Sequence, residues 1–205
     1  MAVSLYSATV PHFIQILPQV SALIDKAEAH CAAKGLPPEA LLGARLAEDM
    51  WPLSGQLRAC WAHSADAVDS TISGERTPDF SELPNDFAFF RQRIEAAIVH
   101  LGTVRPADVD LAEDNEVAFN VRDMSLRFTG IDYLLKFALP NFFFHSSMAY
   151  PILRNQGFEI AIAGGVFEPG GERLVRQAGG TEGEIKAERE QRHRRGLVGK
   201  YRIDL

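Results

Sequence analysis

Asn141 and His145 stand four residues apart within the longest apolar stretch of the chain, which runs from Gly130 to Gly157. Side chains at this spacing lie one above the other on a helix, so the amide and the imidazole can reach one point in a core. A divalent metal accepts a neutral imidazole and, less readily, an amide oxygen. The same residues could instead be structural, with His145 hydrogen-bonded to a neighbour and Asn141 satisfying a carbonyl freed by Pro140.

A third polar group is expected from an earlier helical region. Asp49, Gln56 and His63 recur every seven residues, close to two helical turns, so they share one side of a predicted helix. Gln56 stands among apolar neighbours and is the member that we predict to point inward. Asp49 could instead cap the turn before Pro52, and His63 is predicted to lie near the surface.

Four helical regions are predicted to position these groups. Apolar residues recur in each at spacings of three and four, over residues 4–34, 39–73, 87–101 and 130–157. Pro140 interrupts the last region because proline lacks an N–H group and clashes with the preceding turn. We therefore expect a kink or a short break near Leu139.

The segments outside these helices have a different character. Residues 102–129 form a long connection, in which VAFNV and MSLRFT alternate around Arg122 and Asp123 and predict a small β-hairpin. Residues 164–205 are rich in glycine and charge, which is typical of a partly flexible tail. The predicted organisation is therefore a helical domain over residues 1–163 followed by this tail.

Composition and charge exclude several classes of protein. The net charge of −6 argues against binding nucleic acid or an anionic membrane nonspecifically. No apolar run is long enough to span a bilayer, and the first basic residue is Lys26, so we expect no secretory signal. The two cysteines, Cys31 and Cys60, form no metal motif, which favours reduced thiols in the cytoplasm.

Two stretches resemble a known family. They are ARLAEDMWPLSGQL, residues 44–57, and FALPNFFFHSSMAYPILRNQG, residues 137–157. They resemble an uncharacterised bacterial and fungal family of domains of unknown function, related to the DinB/YfiT-like four-helix-bundle proteins that are regarded as metalloenzymes. The resemblance covers residues 3–162 and implies an all-α, DinB-like four-helix bundle with a long connection between its third and fourth helices.

The resemblance also implies a site. Metal-binding proteins of the DinB group typically carry one histidine on the second helix and an H-x-x-x-H pair on the fourth. The resemblance places Asn141 and His145 at the positions of this pair, and Gln56 or Asp49 at the position on the second helix. Only one of the three histidines therefore remains. Because amides are weaker ligands than imidazoles, such a site would hold Zn or Ni weakly or hydrogen-bond a small polar ligand.

Three interpretations of these residues follow. We favour binding of a small ligand or a weakly held metal, for which the candidate residues are Gln56, Asn141, His145 and Tyr150. The alternative is a metal-dependent transferase or isomerase that uses His145 as a ligand or general base. In the third, the polar groups are purely structural.

A partner is also expected. Three consecutive phenylalanines, Phe142–Phe144, must face different sides of a helix, because successive residues point about 100° apart. One helix face cannot bury all three rings. This predicts a homodimer through the surface of the last helix.

Overall fold

The computed structural model describes residues 3–158, which belong to one compact unit and share one apolar core. The predicted domain boundary at residue 163 and the predicted tail lie outside the described residues. Within the described part of the chain, every helix is too short or too polar to cross a bilayer.

Helix α1, Leu5–Lys34, agrees with the first predicted helix. The Ser4 hydroxyl accepts a hydrogen bond from the backbone N–H of Ser7, and Gly35 ends the helix in the left-handed conformation. The helix continues through both of its prolines, Pro11 and Pro18.

The region predicted as a helix over residues 39–73 forms three helices. These are α2, Glu39–Leu42, α3, Leu53–Ala62, and α4, Ala65–Ser73. Residues 43–52 are not helical, so Asp49, which was predicted on this helix, instead lies in an exposed turn. Pro52 directly precedes α3, where a proline at a helix start loses no intrahelical hydrogen bond.

A second interruption separates α3 from α4. The Ser64 hydroxyl donates to the carbonyl of Cys60 at 2.6 Å, which replaces a backbone partner of the ending helix. His63 directly follows the last residue of α3 as its C-cap, and the backbone of Ser64 is not helical. Because the sequence has neither glycine nor proline here, it predicted that the helix continues. That prediction was wrong at this point.

Two helices follow. Helix α5, Phe87–Thr103, agrees with the third predicted helix, and the carboxylate of Asp86 accepts a hydrogen bond from the N–H of Ala88 at 2.9 Å. The short helix α6, Pro106–Leu111, begins with proline, whose fixed φ suits a first turn.

The predicted hairpin is confirmed and belongs to a three-stranded sheet. Strand β2, Glu116–Val121, pairs antiparallel with β3, Met124–Thr129, across Arg122 and Asp123. A two-residue strand that the sequence did not reveal, β1, Glu75–Arg76, pairs parallel with β2. The expected all-α class is therefore corrected to a mostly helical domain with a small sheet.

The last helical region is continuous and consists of three segments. These are α7, Gly130–Asp132, a π-helical segment, Tyr133–Ala138, and α8, Leu139–Asn155. Pro140 cannot donate a hydrogen bond to the preceding turn, and a widened π-helical turn is a known accommodation of such a gap. The predicted irregularity near Leu139 thus takes the form of a π segment directly before it.

Gly130 fixes where this region begins. A Cβ atom at this position would lie 2.0 Å from the carbonyl oxygen of Ala112, which no side chain tolerates. The long helices pack against one another: α1 lies against α5 and α8, and α3 lies against the same two helices. The π segment also packs on α4, so the break at His63 faces the irregular part of the last helical region.

Candidate functional site

A cavity of about 300 Å³ lies between α3, α4, the sheet and the last helical region. This volume is at the lower end of the range of roughly 300–1,000 Å³ for small-molecule sites. Aromatic rings form much of its wall, from Trp51, Trp61, Phe80, Phe119, Tyr133 and Phe137. Two imidazoles, those of His63 and His145, also line it.

Gln56 fixes the imidazole of His145 from behind the wall. Its side chain is 2% exposed, and its Nε2 donates to the backbone carbonyl of Trp51 at 3.1 Å. A carbonyl only accepts, so the amide oxygen must face the other way, and it lies 2.7 Å from Nδ1 of His145. Nδ1 therefore carries the proton, and Nε2 of His145 is left as a hydrogen-bond acceptor.

Burial keeps His145 uncharged. Its residue surface is 8% exposed, and this desolvation lowers its pKa to about 4. The indole of Trp51 stacks on one side of the ring, with centroids 5.2 Å apart. Gln56 thus holds both residues of this stacked pair. It hydrogen-bonds the backbone carbonyl of Trp51 and the ring nitrogen Nδ1 of His145.

His63 lies in the cavity wall and not near the surface as predicted. Its ring stacks on that of His145, with centroids 5.6 Å apart and planes inclined by 4°. Burial, then the neighbouring His145 and Arg76, lower the pKa of His63 to about 3, so this imidazole is neutral too. Its Nδ1 is buried and has no hydrogen-bond partner among residues 3–158.

Local features at the two ends of α3 explain where Trp51 and His63 lie. A Cβ at Gly55 would approach Cβ of Trp51 to 3.3 Å, so glycine lets the indole fold back over the first turn of α3. The backbone N–H of Leu53 also donates to the carbonyl of Ala44, which ties down the loop before Trp51. At the other end of the helix, the interruption at Ser64 ends α3 at His63, beside the cavity.

The other predicted site residues are placed differently. Asn141 lines the cavity, but its amide nitrogen donates to the carbonyl of Phe137 at 2.7 Å. Tyr150 is half-buried against the core and is not one of the described residues that line the cavity. The structure therefore brings Gln56, His145 and Asn141 to this region and leaves Tyr150 outside the cavity.

Charged side chains also line the cavity. Arg76 forms a salt bridge with Asp66 at 3.0 Å, so these two charges balance. Arg58 donates to the carbonyl of Ser81, and the guanidinium of Arg93 lies 5.3 Å from the centre of the Trp61 ring.

Asp79 is the other acid that lines the cavity. Hydrogen bonds from Ser81, and to a smaller extent Arg58 and Arg93, lower its pKa. The carboxylate is therefore charged at neutral pH.

These residues do not fit a resident Zn or Ni ion. An open site needs about three strong protein ligands. Both ends of the Gln56 amide are already bonded to protein groups, and Gln56 is not one of the described residues that line the cavity. Between residues 3 and 158 there is no group of three or more His, Cys, Asp or Glu side chains that could hold a metal.

Stacking adds a geometric reason. The lone pair of a ring nitrogen lies in the ring plane, and the planes of His63 and His145 are nearly parallel and stacked. Two such rings do not direct both lone pairs to one ion. The arrangement instead offers neutral hydrogen-bonding groups and aromatic surface to a small molecule.

Several of these residues escaped the sequence analysis. His63 stood in the seven-residue pattern with Gln56, and that spacing was the available signal. Trp51, Arg76 and Tyr133 come from a loop, a strand and a π segment, and no sequence pattern linked them. Their meeting depends on the sheet and on the break between α3 and α4.

Comparisons with known proteins agree with this fold. A crystal structure of a DinB family member protein from Shewanella denitrificans is 27% identical, with a TM-score of 0.66, and the match covers 80% of this chain and 93% of that one. No curated protein matches the sequence. A family model described as "Domain of unknown function (DUF1993)" matches residues 5–163. The protein therefore belongs to the DUF1993 family of domains of unknown function, which is related to the DinB-like fold.

Proposed function

We propose that this protein binds a small organic molecule in the cavity beside His63 and His145. The observation that carries this proposal is the His63 imidazole, whose buried Nδ1 lacks a partner among residues 3–158 although its ring lines a cavity. An unpaired buried polar atom costs about 1–3 kcal/mol, so its presence calls for an explanation. A half-turn of the ring about its Cβ–Cγ bond, which exchanges Nδ1 with Cδ2 and keeps the ring plane parallel to that of His145, would offer this nitrogen to a ligand.

The surrounding groups support binding of a neutral or anionic molecule. Both imidazoles are uncharged at neutral pH because burial lowers their pKa values to about 3 and about 4. The aromatic wall supplies dispersion and ring–ring contacts. Nε2 of His145, which the Gln56 contact leaves unprotonated, is available as an acceptor.

The binding proposal is tested with a library of aromatic fragments and saturation-transfer NMR. We expect several fragments to bind the wild-type protein and to lose binding in Ala62→Leu, because Ala62 lines the cavity and a larger side chain would occupy it. Ala33→Leu, on the exposed surface of α1, is the matched control and should bind normally. Thermal unfolding of both variants checks that they are folded. Fragments that bind Ala62→Leu as well as the wild type would contradict the proposal.

The metal hypothesis is tested separately. The occupied amide of Gln56 and the parallel rings of His63 and His145 lead us to expect that Zn or Ni changes the melting temperature little. A saturating, stoichiometric rise with either ion would instead support the metal-dependent enzyme.

Three finer expectations stay predictions beside this one. We treat the four long helical regions as a DinB-like four-helix bundle, which the packing of α1 and α3 against α5 and α8 supports. A homodimer through the last helix would cover Phe144, which is 54% exposed, whereas Phe142 is fully buried. Light scattering at micromolar concentration tests the dimer. The cytoplasmic location also stays a prediction.

A further inference from the structure

The charged groups that line the cavity do not cancel. Arg76 is matched by Asp66 at 3.0 Å, with both side chains partly buried. Arg58 and Arg93 also line the cavity, where the remaining carboxylate of the described lining is that of Asp79. The two imidazoles contribute no charge at neutral pH. One guanidinium charge of the cavity lining is therefore not balanced by the described carboxylates of that lining.

The aromatic part of the cavity lining favours a flat ring. Trp51, His145 and His63 form a continuous stack, with centroid separations of 5.2 and 5.6 Å. Phe137 stands edge-on to His63, with centroids 5.6 Å apart and planes inclined by 68°. Face-to-face and edge-to-face contacts of this kind are the geometries that aromatic ligands adopt with aromatic side chains.

The His63 imidazole adds a requirement for one polar group. A neutral imidazole has one donor and one acceptor nitrogen, and either of them can be Nδ1. A hydroxyl both donates and accepts, so it matches either tautomer.

Resting on the ligand site proposed above, we propose that the ligand is a hydroxyaryl carboxylate. Its ring lies among the aromatic side chains, its hydroxyl meets His63, and its carboxylate meets Arg58 and Arg93. Guanidinium groups suit this role because their N–H groups match the two oxygens of a carboxylate.

Four related probes separate charge from shape. They are 4-hydroxyphenylacetate, phenylacetate, the neutral alcohol 2-(4-hydroxyphenyl)ethanol, and the cation tyramine. Isothermal titration calorimetry at low ionic strength should show the first binding at least tenfold more tightly than each of the others. Equal affinity for the acid and for tyramine would overturn the assignment of an anion, and equal affinity for the acids with and without the hydroxyl would overturn the role of His63.

Arginine variants test the same contact from the protein side. The double variant Arg58→Gln/Arg93→Gln should weaken binding of 4-hydroxyphenylacetate at least tenfold and leave the neutral alcohol unchanged. Arg105→Gln, which removes a 79% exposed arginine outside the cavity lining, should change neither affinity. Thermal unfolding confirms that each variant is folded. An unchanged affinity for the acid in the double variant would contradict the proposal.

The two proposals fail in different ways. If none of the four probes binds but fragments of other chemistry bind the wild type and not Ala62→Leu, the hydroxyaryl carboxylate is wrong and the ligand site stands. If no fragment of any class binds in that way, both are wrong.

Discussion

His145 and His63 line one cavity and stack on each other, but their surroundings differ. His145 is tied by Gln56, which also holds the backbone of Trp51, so its orientation and tautomer are fixed within the protein. His63 has no partner for Nδ1 in the described part of the chain, and its pKa is lowered further. One imidazole is thus part of a completed hydrogen-bond network, whereas the other is left incomplete.

The difference teaches how a binding surface can be separated from the core that supports it. Replacing a side chain whose hydrogen bonds are all made within the protein leaves its partners unsatisfied, which lowers the free energy of unfolding. Replacing an incomplete group removes a cost that the fold already bears. Substitutions at the two sites should therefore change stability by unequal amounts, and only the second should act mainly on ligand binding.

Gln56→Leu should have the largest effect on stability. The substitution leaves Nδ1 of the buried His145 without its partner, at about 1–3 kcal/mol, and the part-buried carbonyl of Trp51, at about 1 kcal/mol, so we expect a loss of roughly 2–4 kcal/mol. Urea denaturation measures it. Gln92→Leu, on the exposed surface of α5, is the control and should cost under about 0.5 kcal/mol. Similar losses in the two variants would remove the distinction between the histidines.

Acid pH should show, with a smaller effect, that the fold holds His63 neutral. In the unfolded chain His63 takes up a proton near pH 6.5, whereas in the folded protein it stays neutral until about pH 3. The unfolded state holds more protons in this window, so stability falls as the pH is lowered. Between about pH 6.5 and pH 5 this one group should lower the free energy of unfolding by roughly 1.5 kcal/mol, because one bound proton contributes about 1.36 kcal/mol for each step of one in pH.

Comparison with His63→Phe isolates this contribution, because the variant retains all other titrating groups. Its free energy of unfolding should fall less steeply over the same window than that of the wild type. Gln92→Leu, which replaces no titrating group, should keep the wild-type slope. If His63→Phe and the wild type lose stability in parallel, His63 is not held neutral by the fold.

At neutral pH, His63→Phe should have the smallest effect on stability. The change removes a nitrogen without a partner and keeps an aromatic ring against His145, beside a cavity with room for a larger ring. We expect the free energy of unfolding to stay within about 1 kcal/mol of the wild-type value or to rise. Urea denaturation at neutral pH provides the value. A loss of more than about 2 kcal/mol would show that His63 serves the fold.

Periodicity predicted the helices well and the interruptions poorly. Gly35 marks the C-terminal end of α1 and Pro140 marks the irregular turn before it, so those features were accessible from the sequence. The break at Ser64 depends on a hydroxyl that replaces a helical hydrogen bond, and serine occupies many unbroken helices. His63 was misplaced for this reason alone.

The site was partly predictable for a similar reason. Gln56 and His145 could be paired because each stands on the apolar side of a helix. Trp51 and Arg76 could not be found, because one lies in the irregular stretch of residues 43–52 and the other on a two-residue strand. Such segments carry no periodic signal, and tertiary packing alone decides where their side chains lie.

The ring nitrogens of the histidines offer the most direct test of the central claim, that the protein completes His145 and leaves His63 for a ligand. Nitrogen-15 NMR of histidine-labelled protein, titrated with the tightest-binding fragment, reports the protonation of each ring nitrogen. We predict that His145 carries its proton on Nδ1 before and after binding, and that the nitrogen signals of His63 shift on binding. Unchanged His63 signals at saturation, or a shift confined to His145, would contradict the account.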